Sequence, residues 1–473
     1  MLIIILELEM KKNKLTTAVI AGLAGVAGVA TIGNAVHVNP EGTGQALIYP
    51  YYSVNNGLNT TYSVVNTTDQ VKAVKVRFLE GQHSREVLDF NVYLSPFDVW
   101  TGVLGMTTSS IGSHSGEDAG AHASFDASCA PLLNKAGQQF LPYEIDLDAP
   151  NNNMSRSTDG HFEVLEMGVV DSLSPLAAAA IHVGGVPNCA AIDAAWGAGG
   201  TWDIAPATYM LPPTGGLFGG ASLIDVANGF NVSYDAIALD SWSATAQHTD
   251  PGSLTPSIAS ANPSVSNVFV NGATLTDVWG NGAQAVSATL MRQEVYNEYN
   301  FEAGVEGKSA WVVTFPTKFH HVNPAVPVAP FTMSWDGDVA CEEFALKKWD
   351  REERTEVSFG TISPQPPEGD NPSFCYEANT LEFIAPGGVV GDSNILGGRN
   401  LISVQGINGG TENGWARIQY DGTVNFMIGS SNTYQGLPTA GFMVYRFTNT
   451  AAAPGVLAQY GGLFNHKGLV SSN

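Results

Sequence analysis

Charge is scarce in this chain. Only 14% of its 473 residues are Asp, Glu, Lys or Arg, against roughly a quarter in ordinary soluble domains. Basic residues are scarcer still. There are 20 Lys and Arg against 44 Asp and Glu, a formal net charge of -24. With no basic stripe to offset phosphate repulsion, a general nucleic-acid binder is excluded. After the first 35 positions there is no apolar run of about 18 residues, so no transmembrane helix is expected there. Cysteine is limited to 4 residues, and no two have the close C-x₂₋₄-C spacing that zinc sites use. No repeat of fixed period stands out, which argues against solenoids and propellers.

Catalytic signatures are absent as well. The segment Gly112-Ser-His-Ser-Gly116 puts His where a nucleophile elbow needs Ser. There is no His-Glu-x-x-His pair for a zinc-protease helix. Gly-rich stretches such as Leu217-Phe-Gly-Gly220 lack the Lys of a phosphate loop. His320 and His321 are adjacent. On a strand they point to opposite faces, which makes a poor two-ligand clamp.

The first 35 residues have their own character. Lys11, Lys12 and Lys14 precede an apolar run from Leu15 to Ile32, closed by Gly33-Asn34-Ala35. That order reads as a secretory signal, with Met10 as the natural start. Removing residues 1–35 leaves 473 − 35 = 438 residues, with 20 − 3 = 17 basic and 44 − 2 = 42 acidic side chains, a net of -25. The expected location is the periplasm, the cell surface or the outside. Cys129, Cys189, Cys341 and Cys375 all lie in the mature part, and an even count in an exported chain favours disulfides. Of the three pairings, Cys129–Cys189 and Cys341–Cys375 are preferred, because near neighbours close loops within one domain.

The rest of the chain reads as all-β. Ala46–Tyr52, Thr60–Val65, Val71–Leu79, Glu86–Leu94 and Phe97–Leu104 are apolar or alternating runs separated by turn residues. Period-2 alternation at short intervals predicts antiparallel strands. Five of them in about sixty residues suggest an immunoglobulin-like sandwich over 36–108. A larger, irregular β-rich region with long loops follows. It is divided into 109–330, with a short helix expected between Ser174 and Ala195, and a C-terminal part, 331–473. Ala227-Asn228-Gly229 predicts a hairpin between Ala221–Val226 and Phe230–Leu239. Residues 362–373 form a Pro-rich surface loop.

Several of these blocks also carry a resemblance. They include Ala46-Leu-Ile-Tyr-Pro-Tyr-Tyr52, Val74-Lys-Val-Arg-Phe-Leu-Glu80, Ser84-Arg-Glu-Val-Leu-Asp-Phe-Asn91 and Leu94-Ser-Pro-Phe-Asp-Val-Trp100. Later ones are Gly160-His-Phe-Glu-Val-Leu-Glu-Met167, Trp311-Val-Val-Thr-Phe-Pro-Thr-Lys318, Trp349-Asp-Arg-Glu-Glu353 and Tyr460-Gly-Gly-Leu-Phe-Asn-His-Lys467. Over nearly the whole mature chain they resemble a family of exported Gram-negative bacterial proteins loosely labelled cell-surface proteins. The resemblance implies export and surface placement. It implies no activity, cofactor or catalytic residue.

Three features remain as candidate sites. Glu144, Asp146 and Asp148 are spaced so that a strand would put them on one face. With Asp159 and Asn151–Asn153 they offer oxygen ligands suited to calcium, or a carboxylate pair for glycoside hydrolysis. Lys347-Lys-Trp-Asp-Arg-Glu-Glu-Arg354 is the one dense charge run, a candidate docking site in so uncharged a chain. The nine Trp would form a sugar-stacking platform if two or three were exposed on one face; the bland reading is core packing. Together these point to a non-enzymatic exported protein with an adhesive, matrix or scaffold role, whose partners are a surface polymer, other surface proteins or itself. One variant has Val36–Gln45 adding a strand to a neighbour's open sheet edge. The alternatives are a secreted hydrolase of polysaccharide or peptide, and a calcium- or glycan-binding module. No catalytic, cofactor-binding or metal-ligating residue is assigned.

Overall fold

The computed structural model describes residues 34–357, 362–363, 372–453, 455–456 and 458–472. All but two residues of the expected signal, and most of the Pro-rich loop, lie outside this set. The fold is all-β, with short helices confined to connections. Among the described residues no helix is long and apolar enough to cross a membrane.

The first thirteen strands build one sandwich. They are β1 (His37–Val38), β2 (Ala46–Ser53), β3 (Asn59–Asn66), β4 (Lys72–Glu80), β5 (Glu86–Leu94), β6 (Val99–Thr108), β7 (Asp118–Ala123), β8 (Gln138–Gln139), β9 (Asp159–Val170), β10 (Met210–Leu211), β11 (Leu217–Asp225), β12 (Phe230–Asp235) and β13 (Ile237–Asp240). One sheet runs β1-β13-β2-β9-β4-β5, with β10 on β9, and the other β12-β11-β3-β6-β7-β8. The predicted hairpin is present: Gly229, at φ 63°, takes the left-handed position between β11 and β12 that glycine adopts without strain. Tyr49, Tyr62, Phe78, Phe90, Trp100 and Phe162 fill the space between the sheets. The Tyr62 hydroxyl accepts from Trp100 Nε1 at 3.0 Å and meets His122 Nε2 at 2.9 Å, so the buried polar tips find partners.

The five runs between 46 and 104 do become strands, yet they do not close a sandwich alone. β2 needs β9 and β13, β3 needs β11, and β6, which ends at the expected boundary of 108, pairs with β7. Nothing in these pairings singles out an immunoglobulin-like unit over 36–108. Local alternation predicts strands, but the return strands come from 118–240.

A hairpin of β14 (Val265–Val270) and β15 (Ala273–Val278), followed by the helix Gly282–Leu290, leads to the second sandwich. The strands from here on are β16 (Met291–Arg292), β17 (Glu294–Asn300), β18 (Lys308–Thr314), β19 (Glu342–Asp350), β20 (Thr355–Val357), β21 (Ile362–Ser363), β22 (Ser373–Phe374), β23 (Ala378–Ile384), β24 (Leu401–Gln405), β25 (Asn413–Tyr420), β26 (Phe426–Ile428), β27 (Thr433–Gln435), β28 (Leu437–Pro438), β29 (Ala440–Thr448), β30 (Gln459–Asn465), β31 (Lys467–Leu469) and β32 (Ser471–Ser472), of which β16 with β28, and β26 with β27 and β32, form small sheets outside the sandwich. One sheet runs β20-β19-β25-β17-β31 and the other β21-β24-β23-β18-β29-β30. The division expected at 330 also moves, because β17 and β18 pair with β25, β23 and β29.

Alternation along β18 explains how the two sandwiches join. Trp311 and Val313 point into the core of the second sandwich. Ala310 and Val312, on the opposite face, belong to the core of the first. Tyr234 stacks on Phe442 across this junction at 4.8 Å, and Thr314 Oγ1 donates to the Pro50 carbonyl at 2.6 Å. Both disulfides form as expected: Cys129–Cys189 and Cys341–Cys375 have S–S distances of 2.11 and 2.07 Å. The segment Val36–Gln45 is used within its own chain. Val36 N donates to the Val265 carbonyl at 2.8 Å, and β1 lies on β13.

Candidate functional site

Glu144, Asp146 and Asp148 do not share a face. The chain there forms a 3₁₀ turn, Ile145–Asp148, rather than a strand, so the three side chains diverge. Asp148 is buried and accepts from Arg85 and Arg156, at 2.6 and 2.9 Å. These guanidinium groups hold its carboxyl below the usual carboxylate range, against the effect of burial. Asp146 meets His114 Nε2 at 2.8 Å and accepts from Asn152 at 2.9 Å. Glu144 reaches only Arg85, at 3.7 Å. Asp159, buried and pushed up to about 7 chiefly by desolvation, accepts from the Arg399 backbone at 2.9 Å instead. Guanidinium and imidazole groups therefore stand beside the carboxylates that the calcium alternative would have used. Among the described residues no group of three or more His, Cys, Asp or Glu is arranged to hold a metal.

His320 and His321 lie in a helical turn, Phe319–Val322, not on a strand. His321 Nε2 meets Ser287 Oγ at 2.8 Å and Nδ1 faces the Val328 carbonyl at 3.2 Å, so both ring nitrogens are committed to packing. The near-miss motif around His114 is a 3₁₀ turn tied to Glu117 and Asp146.

The tryptophans separate cleanly. Trp100, Trp202, Trp242 and Trp311 are fully buried, and Trp196 and Trp279 nearly so. Trp335 stacks on His83 at 4.0 Å. The other two, Trp349 and Trp415, face each other across β19 and β25. Their rings are 4.0 Å apart and within 4° of parallel. They belong to the outward set of each strand. On β25, Ala416, Ile418 and Tyr420 point into the core, and Trp415, Arg417 and Gln419 point away from it. On β19, Phe344 and Leu346 are core, while Lys347 and Trp349 are outward and half-buried.

Register then composes the face. Lys347 lies directly opposite Arg417, and Arg417 opposite Tyr296; Trp415 lies opposite Glu298. Lys347 Nζ sits 4.8 Å over the Trp349 ring and the Arg417 guanidinium 5.6 Å over it. Contacts of this kind contribute about 0.5–1 kcal/mol each at exposed sites. Arg417 also pairs with Glu294 at 3.2 Å. Trp415, 40% exposed, is the more open ring of the pair. Two like charges placed directly opposite on a sheet are destabilising. Here they flank an aromatic pair that could have been buried. The remainder of the mixed-sign run closes on itself: Asp350 accepts from the Arg354 backbone at 2.9 Å, and Arg351 meets Glu352 at 3.1 Å.

A second concavity, of about 450 Å³, is bordered by Glu86, Asp89 and Glu144 with Leu132, Tyr143 and Leu254. Its carboxylates already have partners. Asp89 takes a 2.6 Å bond from Lys75, and Glu86 a 2.5 Å bond from Arg77. Burial nevertheless pushes Asp89 up to about 7.

The geometry defines a double β-sandwich with a solvent-facing aromatic and polar surface on the β19–β25–β17 sheet. No protein-family model matches this chain, and no curated protein or solved structure is significantly similar to it. The site is therefore argued from its own residues. Arg417 and Tyr296 were missed in the sequence. The alternation around Trp415 marks a strand, but nothing local says that this strand lies beside Trp349.

Proposed function

We propose that this is an exported, non-enzymatic adhesive or scaffold protein that holds a polysaccharide chain against the β19–β25–β17 face. The observation that carries the reading is the Trp349–Trp415 stack, open to solvent on a rigid sheet and ringed by hydrogen-bonding side chains. Apolar sugar faces pack on aromatic rings, while polar groups placed around the rings fix orientation. Lys347 and Arg417 donate, Glu298 accepts, and Gln419 does both. A sheet holds these groups in one geometry, so little ordering is needed on binding. The face rises from strands braced by the Cys341–Cys375 bridge at one end of β19, which suits an oxidising compartment.

The test is co-sedimentation of the purified mature protein with a panel of insoluble neutral and acidic polysaccharides. At least one polymer is expected to retain the wild type, and Trp415→Ala to release it while the fold stays intact. Retention by no polymer, or equal retention of the variant, would overturn the reading. A secreted hydrolase is the second reading, and the Asp89 groove is what favours it. A raised carboxyl beside apolar residues is what a general acid needs. Turnover of any polysaccharide or peptide that Asp89→Asn abolishes would support it; turnover indifferent to that change would remove it.

A further inference from the structure

A part-open pocket lies where the two sandwiches meet, with a volume of about 280 Å³. Val38, Ala238, Leu290, Val295 and Phe442 supply apolar wall, drawn from both sandwiches. Arg292, on β16, is part of the same wall. Its polar contact is one hydrogen bond, from Nη1 to the carbonyl of its neighbour Met291 at 2.8 Å. Among the described residues no carboxylate forms an ion pair with it. The cations buried elsewhere mostly have acid partners; Lys318, which donates to the Phe374 and Tyr376 carbonyls at 3.4 and 3.3 Å, is an exception. Lys72 meets Glu166, Lys75 meets Asp89, Arg77 meets Glu86 and Glu163, and Arg156 meets Glu80 and Asp148. Arg292 is half-buried, so its guanidinium gives up part of its hydration without a counter-charge.

The surroundings make room for it. A Cβ at Gly468 would fall 2.7 Å from the Glu294 carbonyl and 2.9 Å from Arg292 Cδ, so glycine there admits both the neighbouring strand and the arginine stem. Lys467 adds a second cation to the wall, and Thr439 and Asn465 add polar groups. His466 also borders the space, but its nitrogens are committed to the Val312 carbonyl at 2.8 Å and to Asn297 at 3.1 Å. Asp235 is the one acid on the wall; it is exposed and pairs with neither cation. The space is small beside the roughly 300–1,000 Å³ of pockets that take drug-sized molecules.

We infer that this junction is a binding site for a small amphipathic carboxylate, its charged group on Arg292 and its short apolar body against Val38, Ala238, Leu290 and Phe442. The guanidinium can take a carboxylate through two parallel hydrogen bonds. Because the wall comes from both sandwiches, a bound ligand ties one to the other and raises the melting point with its concentration. This site is separate from the Trp349–Trp415 face, so failure of either proposal leaves the other standing.

Octanoate, octan-1-ol and acetate are the probes, used on the purified mature protein in thermal unfolding and titration calorimetry. Millimolar octanoate is expected to raise the melting midpoint and octan-1-ol to raise it far less, with acetate weaker than octanoate. Arg292→Gln is expected to weaken octanoate binding at least tenfold. Equal effects of octanoate and octan-1-ol would show that the charge is irrelevant and overturn the inference. So would absence of heat with octanoate, or unchanged octanoate affinity in a folded Arg292→Gln. The comparison of the two eight-carbon probes needs no variant, so misfolding of Arg292→Gln would not spare the proposal.

Discussion

Both sandwiches carry a cation pair on the outward positions of a sheet, and they treat it in opposite ways. In the first, Lys75 and Arg77 point away from the inter-sheet core. That face is covered by residues 171–290, with Trp196 and Trp202 packed beneath short helices. Every strand position on β2 and β9 is consequently buried. The cations survive there because neighbouring strands present carboxylates: Asp89 and Glu163 lie directly opposite Arg77, and Glu86 within its reach. In the second sandwich Lys347 and Arg417 oppose each other, lie over Trp349 and remain partly open to solvent. A pair buried among acids holds a structure together; a pair lying over an aromatic ring, half-open to solvent and with Glu294 as the acid partner of Arg417, is available to something else. A cation on a sheet is therefore read from what covers it.

Breaking the buried side should cost most. Glu166→Ala strands Lys72 at a site where both side chains are fully buried. A loss of about 3–5 kcal/mol is expected from an uncompensated buried charge, read as the urea midpoint at constant slope. The double change Lys72→Met with Glu166→Leu should recover most of it, since replacing both partners by apolar groups is far cheaper than removing one. The second effect is of similar size. Cys129→Ser with Cys189→Ser opens a 60-residue separation across the covering layer, for which the chain-entropy model gives about 4 kcal/mol. Thermal unfolding with and without reductant checks it, and the variant should be indifferent to loss of this bridge.

Acid provides the third test, smaller for each single group. Burial keeps His122 and His161 neutral down to about pH 3 and His248 down to about pH 4. In the unfolded chain the same rings take up protons below about pH 6.5. The unfolded state then binds more protons, so stability falls as the pH is lowered through that window and is restored above it. Between pH 7 and 5 each histidine should cost about 2 kcal/mol, seen as a falling melting midpoint, and His122→Gln should flatten the slope. The open side should be the least sensitive. Trp415→Ala is expected to cost about 1 kcal/mol, and Lys347→Ala to change stability by less than about 0.5 kcal/mol, because it removes a repulsion along with a ring contact. A loss several times larger for Lys347→Ala would mean that this pair too is structural, and the contrast would fail.

Much of the local architecture was legible in the sequence. Val74, Val76 and Phe78 alternate with Lys75, Arg77 and Leu79, and this is a strand. Asn228-Gly229 is the hairpin turn it was read to be. The helix expected within Ser174–Ala195 is interrupted near Gly184-Gly185 into Pro175–Ala180 and Cys189–Trp196. The acidic triplet was misread because spacing alone cannot separate a strand from a 3₁₀ turn. The His pair failed for a related reason: apolar Trp311–Phe319 looks like one strand, but the strand ends at Thr314 and a helical turn begins at Phe319.

The sequence by itself determined the class of fold and the scarcity of cations, because alternation and composition are properties of the chain; among the three cystine pairings it left open, the tertiary structure chose. The sequence also located Lys347 and Trp349 as unusual. Only the tertiary structure decided which cations are buried among carboxylates and which stay half-open over aromatic rings. Arg77 and Arg417 have equivalent places in alternating strands, so no local pattern distinguishes them. Their difference comes from long-range pairing, which brings Glu163 to one and Trp349 to the other, and from the layer of chain that covers the first sheet and leaves the second exposed.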